Sequence, residues 1–136
     1  GVARLHPVGG GQIQARRTDS GRLHTDFNTE ELPTTAGDRA TRMEAIYNGR
    51  GLTPQAQQHA RALLLHQDTR VGIPQGVPAG VAVGNKTGNW DGDTHDVAFV
   101  EAPSGTYVIA VLTTGSWVWT PIQEINAAVY AALSKP

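Results

Sequence analysis

The chain has no cysteine, which excludes disulfides, thiolate metal sites and a cysteine nucleophile together. Lysine is almost as scarce, because nine of the 11 basic residues are arginine and only Lys86 and Lys135 remain. The bases make no face-forming run, and 12 acids bring the formal net charge to −1, so neither nucleic acid nor an anionic membrane is an expected partner. No apolar stretch approaches the roughly 20 residues that cross a bilayer. The opening GVARLHPVGGG also lacks the charged-then-apolar design of a signal peptide. His59 and His66 stand seven apart and the other three histidines are scattered, so no zinc arrangement is expected, and neither metal nor cofactor is called for.

Serine is scarce as well. Ser20, Ser104, Ser116 and Ser134 are the whole set, and three residues after the first three come Leu23, Tyr107 and Trp119. The sequence therefore holds no Ser-x-x-Lys, and it holds no Ser-x-Asn.

What is present suits one globular domain. Hydrophobic residues make up 39% and charged residues 17%, an ordinary soluble balance, and 136 residues suffice to bury roughly two-thirds of the unfolded surface. Residues 1–33 read as an irregular lead-in: Gly9-Gly10-Gly11 fits a flexible turn, since no Lys-Ser/Thr follows it. A weak alternation at Gln12–Arg16 allows a short strand.

From residue 34 the pattern is regular. Thr35 caps a predicted helix with Asp38 in its first turn, Ala36, Ala40, Met43 and Tyr47 on its apolar face and Gly49 as its stop. Thr53 and Pro54 open a second helix whose expected buried stripe is Ala56, Ala60, Leu63 and Leu64. The Gly- and Pro-rich residues 72–80 read as a connector without regular structure.

Three strand-like runs follow, Val81–Lys86, Asp96–Ala102 and Thr106–Thr113, the last two joined by Pro103-Ser104-Gly105. Asp91-Gly92-Asp93 with Asp96 lacks the ligand spacing of a calcium loop and reads as a solvated hairpin turn. A final helix is expected from Thr120-Pro121, with Gln123 completing a capping box and Ile122, Ile125, Val129, Ala132 and Leu133 on one face. The order predicts an α+β fold: a helix pair, then a three-stranded antiparallel meander packed by a C-terminal helix.

The chemistry concentrates at Lys86-Thr87-Gly88. By itself the tripeptide also fits a solvated lysine before a turn. Its surroundings resemble the class A β-lactamase and penicillin-binding serine hydrolase family, in which Lys-Thr-Gly accompanies Ser-x-x-Lys and Ser-Asp-Asn. PAGVAVGNKTGNW is similar to that family's connector and motif strand, HDVAFVEAPSGTYVIAVLTTG to the next two strands, and PIQEINAAVYAAL to the closing helix. PTTAGDRATRMEAIYNGRGLTPQAQQ resembles the helix pair after the family's omega loop. The resemblance implies that residues 34–136 are the C-terminal portion of a β-lactamase-like (DD-peptidase/transpeptidase) domain.

It also implies roles. Lys86 and Thr87 would hold a substrate carboxylate, with Lys86 also in the proton network; Gly88 would let substrate lie against the strand edge. The backbone N–H of Asn89 would serve in the oxyanion hole. His95 would stand where many relatives carry a carboxylate-binding base, although an ordinary polar residue at a strand start reads equally well. The nucleophile would lie outside this chain, which alone is expected to be inactive.

Glu30 and Glu31 lack the family's Glu-x-x-Leu-Asn pattern and suit helix entry better than deacylation. The expected ligand is a β-lactam or a peptidyl-D-Ala-like molecule, so the expected activity is β-lactam acylation and hydrolysis. A penicillin-binding/DD-peptidase-type relative, an esterase-type relative and a non-catalytic module remain as alternatives. The family's location implies an extracellular or periplasmic protein. The Thr106–Thr113 strand would present an open edge, expected to be covered by the N-terminal half, a second copy of the chain, or Gln12–Arg16.

Overall fold

Two tight turns set the register of the sheet. A computed structural model describes residues 3–4, 34–115 and 117–135. Its elements are β1 (Ala3–Arg4), α1 (Ala36–Tyr47), α2 (Pro54–Leu65), a 3-10 turn (Ile73–Gly76), β2 (Ala82–Trp90), β3 (Asp93–Ala102), β4 (Gly105–Leu112) and α3 (Thr120–Leu133). Asp91 and Gly92 both take positive φ, 46° and 87°, the two-residue hairpin geometry whose twist matches that of paired strands. Pairing consequently runs all the way from Trp90↔Asp93 to Ala82↔Glu101.

The predicted runs Val81–Lys86 and Asp96–Ala102 were too short for this reason. The turn carries the ladder through Gly88, Asn89 and Asp93, which have little strand preference of their own. Lys86-Thr87-Gly88 therefore lies within β2 and not at its end. At the other end of β3, Gly105 (φ 135°) starts β4 directly after Pro103-Ser104, and pairing continues to His95↔Leu112. The order is β1-β4-β3-β2, an antiparallel meander with β1 added in parallel at Tyr107 and Val108. The expected cover of the β4 edge is thus supplied in part by Ala3–Arg4, while Gln12–Arg16 falls outside the described residues.

Alternation along the strands creates two apolar faces. On one, Val83, Ala98, Val100, Tyr107, Ile109 and Val111 pack with Ile73 of the 3-10 turn and Ile122 of α3. On the other, Phe99 and Val108 pack with Met43 of α1 and with Leu64 and Leu65 of α2. Residues 72–80 are more regular than expected: proline and glycine preclude a long helix there, yet a single 3-10 turn forms and buries Ile73 completely.

The caps of the first two helices are as read, since Thr35 accepts from Asp38 N and Thr53 from Ala56 N. The inner face of α2 is rotated from the expected stripe, leaving Leu63 55% exposed. Polar side chains cause this. Gln57 donates to Tyr47 O, and Arg61 makes a two-toothed bond to Glu101 at 2.5 and 2.6 Å, turning Leu64 and Leu65 inward with them. In α3 the capping box does not form: the N-cap is Trp119 without a side-chain bond, and Gln123 Nε2 instead donates to Val71 O at 2.8 Å. Asn126, not Ile125, faces inward, linking Tyr107 OH to Ile73 O through two bonds of 2.8 Å.

Gly84 has a strict packing reason. A Cβ there would run into the ring of Phe99 on the paired strand. Gly84→Ala is expected to destabilise the fold by roughly 1–3 kcal/mol, the cost of overpacking, read from urea unfolding.

Candidate active site

Because β2 is the last strand of the sheet, one of its edges has no strand partner among the described residues. Lys86 and Asn89 are exposed, and Thr87 and Gly88 half-buried, along that edge. Gly88 has nothing within 4 Å of where its Cβ would stand, so the gap belongs to open space and not to packing.

The direction of the backbone groups follows from bonds elsewhere. Val83 O accepts from Arg70 Nη2 at 3.0 Å and Thr87 O accepts from Lys86 Nζ, both from outside the ladder. On β3, Thr94 O is taken on the β4 side by Thr113 N. Backbone groups alternate in direction along an antiparallel strand, so the odd-numbered residues of β2 turn theirs to the free edge. Asn89 N–H is one of them. Thr87 N–H and C=O are another such pair.

The structure thus brings Lys86, Thr87, Gly88 and Asn89 together on one edge. His95 is placed differently. It pairs with Gly88 across the ladder, but its Nδ1 accepts from Thr113 N at 3.2 Å, directing that side of the ring toward the end of β4. A ring accepting at Nδ1 carries its proton on Nε2, which leaves one donor.

Behind the edge lies a buried polar network that the sequence reading did not single out. Asp96, 1% exposed and in register with Thr87, accepts from Ile73 N at 2.8 Å and from Asn85 Nδ2 at 3.1 Å. Asn85 also donates to Thr69 O at 3.1 Å, and Arg70 ties Leu65 O, Val83 O and Asn85 Oδ1 together. Loss of water raises the Asp96 pKa to about 6, against the lowering effect of its donors and of the Lys86 charge. The signal available in the sequence was an acid, Asp96, placed directly before the apolar run Val97–Val100.

Other expected residues are dispersed. Ser104 lies in the β3–β4 turn and Ser134 caps the end of α3; Ser20, Ser116, Glu30, Glu31 and Gly9–Gly11 fall outside the described residues. Among the described residues no group of three His, Cys, Asp or Glu could hold a metal ion, and no helix is long and apolar enough to cross a membrane.

A helix pair on one face of an antiparallel meander, a closing helix on the other, and Lys-Thr-Gly on the free edge define a β-lactamase-like α+β protein. The family model described as "Beta-lactamase enzyme family" matches residues 3–135, and the chain belongs to that family. Among solved structures, a β-lactamase from Sphaerobacter thermophilus is 29% identical with a TM-score of 0.72, over 84% of this chain and 45% of that one. A variant of PBP-A, solved as its acyl-enzyme complex with penicillin G, is 26% identical with a TM-score of 0.68, over 73% and 39%. The extended-spectrum β-lactamase TLA-1, at 21% identity and a TM-score of 0.72 over 90% and 51%, shares the fold. The chain therefore spans roughly two-fifths to one-half of these structures. Among curated proteins no relative matches.

Proposed function

We propose that this chain is the substrate-binding half of a β-lactamase-like serine hydrolase that acylates and hydrolyses β-lactams. The nucleophile in this reading is carried by residues outside the chain. The observation that carries it is the free edge of β2. Lys86 and Thr87 offer a cation and a hydroxyl to a carboxylate, Gly88 leaves the approach clear, and Asn89 N–H points outward where an oxyanion would form. His95 contributes at most its Nε2–H. The parent protein would act in the extracellular or periplasmic space, and turnover there would confer resistance to β-lactam antibiotics.

A penicillin-binding reading has one observation in its favour: the sequence contains no Glu-x-x-Leu-Asn to activate a deacylating water, so an acyl-enzyme would persist. A chromogenic cephalosporin separates the two when given to the parent protein. Continuous release of chromophore supports hydrolysis, and a single stoichiometric burst supports penicillin binding. Absence of Ser-x-x-Lys and Ser-x-Asn from the coding sequence upstream of Gly1 would remove both in favour of a non-catalytic module.

In the parent protein Lys86→Ala is expected to lower kcat/KM for acylation by roughly 10- to 100-fold, the loss of one charge-assisted hydrogen bond. Unchanged kinetics would take Lys86 out of the site.

A further inference from the structure

The outer edge of β2 is not open along its whole length, and the residue that closes its first half has a use that rests on the acyl-transfer reading and extends it. Arg70, in the connector after α2, joins that helix to the strand. Its Nη1 donates to Leu65 O, in the last turn of α2, and its Nη2 to Val83 O, an outward-turned carbonyl of β2, both at 3.0 Å. Nη1 also stands 3.5 Å from Asn85 Oδ1. Carbonyls at a helix end and at a sheet edge lack partners within their own elements, and one planar guanidinium supplies a donor to each.

Asn85 is held from the same side. Fully buried, it donates to Thr69 O and to Asp96 Oδ1, each at 3.1 Å, and Asp96 in turn accepts from Ile73 N. The bonds from the connector to β2 thus fall at Val83 and Asn85, and Lys86 is the next residue. The far end of the strand is fixed by other means. The Asp91-Gly92 turn pairs Trp90 with Asp93, and opposite Asn89 the backbone of Thr94 is tied to β4 by Thr113 N at 3.2 Å and Thr113 Oγ1 at 2.6 Å.

We propose that Arg70 is a positioning residue for substrate capture: by anchoring Val83 and Asn85 to the end of α2 it sets where Lys86 and Thr87 stand, while the hairpin sets Asn89 independently.

This division gives loss of Arg70 a particular signature. Displacing Lys86 and Thr87 weakens the hold on a substrate carboxylate, whereas an oxyanion donor fixed by the hairpin keeps acyl transfer at its rate. Lysine is a poor substitute, because its ammonium is a single point and not a fork spanning Leu65 O and Val83 O.

The test compares penicillin G with its methyl ester on the parent protein and its Arg70→Ala variant, since the two substrates differ only at the carboxylate. Single-turnover acylation separates capture from chemistry. For penicillin G the half-saturating concentration is expected to rise roughly 10-fold with the limiting rate held within about twofold, and for the ester neither should move by more than about twofold. Amide exchange on this chain gives a second readout without any β-lactam. The Gly84 and Lys86 amides point into the β2–β3 ladder and should exchange roughly tenfold faster in Arg70→Ala, while Gly88, nearer the hairpin, and Ala98, in the β3–β4 ladder, keep their rates.

Equal loss for penicillin G and its ester, a fall confined to the limiting rate, or unchanged kinetics would overturn the proposal. So would unchanged exchange at Gly84 and Lys86, acceleration shared by Ala98, or full recovery in Arg70→Lys. If Arg70→Ala does not fold, Arg70→Lys carries the same comparisons, with expected effects of about threefold. A parent protein that acylates neither substrate would remove the hydrolase reading, and the exchange result separately decides whether Arg70 sets the edge.

Discussion

Replacing Phe99 by alanine is expected to cost roughly 3–5 kcal/mol, enough to unfold much of the population of a domain of ordinary stability. The ring is fully buried and makes different contacts on each side. Tyr47 packs on it at 5.1 Å between centroids, tilted 49°, and the Arg61 guanidinium carbon stands 5.7 Å from its centre. Met43 and Val108 are buried in the same cluster, with Leu64 and Leu65 packed against it, and across the ladder the ring fills the space that Gly84 leaves vacant. Since Gly84 has no side chain to move into the void, relaxation is limited and the cavity part of the cost should be nearly complete. Chemical denaturation of the single variants and of Phe99→Ala with Gly84→Ala forms a cycle. The double variant should be less destabilised than the sum of the two, because the added methyl occupies what the lost ring vacates. Strict additivity would mean that the two residues do not share that space.

Asp96 should make stability depend on pH in the direction opposite to a salt-bridged carboxylate. Its pKa is raised from 3.8 to about 6, so between those values the folded state binds more protons than the unfolded state, and stability falls as pH increases. The contribution is complete below pH 3.8 and is lost as pH rises through about 6. It amounts to about 3 kcal/mol. Urea unfolding of the chain and of Asp96→Asn at pH 4 and pH 7 isolates it, since only the unmodified chain should lose that amount between the two conditions. Identical pH dependence in both proteins would show that Asp96 carries its charge at no cost.

Much of the fold was legible because local signals agreed with each other. Thr35 and Thr53 cap where they should, and Asp91-Gly92 is a hairpin turn on its residue types alone. Departures arose where a distant partner overrode the local preference. Gln123 is a plausible capping-box residue until Val71 O is in reach, and Leu63 belongs to a helical stripe until Arg61 finds Glu101. The ladder ran past Lys86 because pairing is decided by the turn and by β3, neither of which a single strand encodes.

The motif itself was legible only through its neighbours. The buried network around Asp96 was not, since its carboxylate accepts from Ile73 N in the 3-10 turn, 23 residues away in sequence. Tyr107 and Asn126 form a similar long-range pair, and burial pushes the Tyr107 hydroxyl up to about 12.

The outward turn of every second residue in β2 has a consequence for how this sequence is free to change over generations. If the donor at position 89 is a backbone N–H, any residue except proline supplies it, so Asn89 can drift while the function persists. A one-residue insertion or deletion between Gly84 and Asn89 is a different event: it exchanges inward and outward groups along the whole edge and turns the donor into the ladder. The length of this segment is therefore held more tightly than the identity of its last residue.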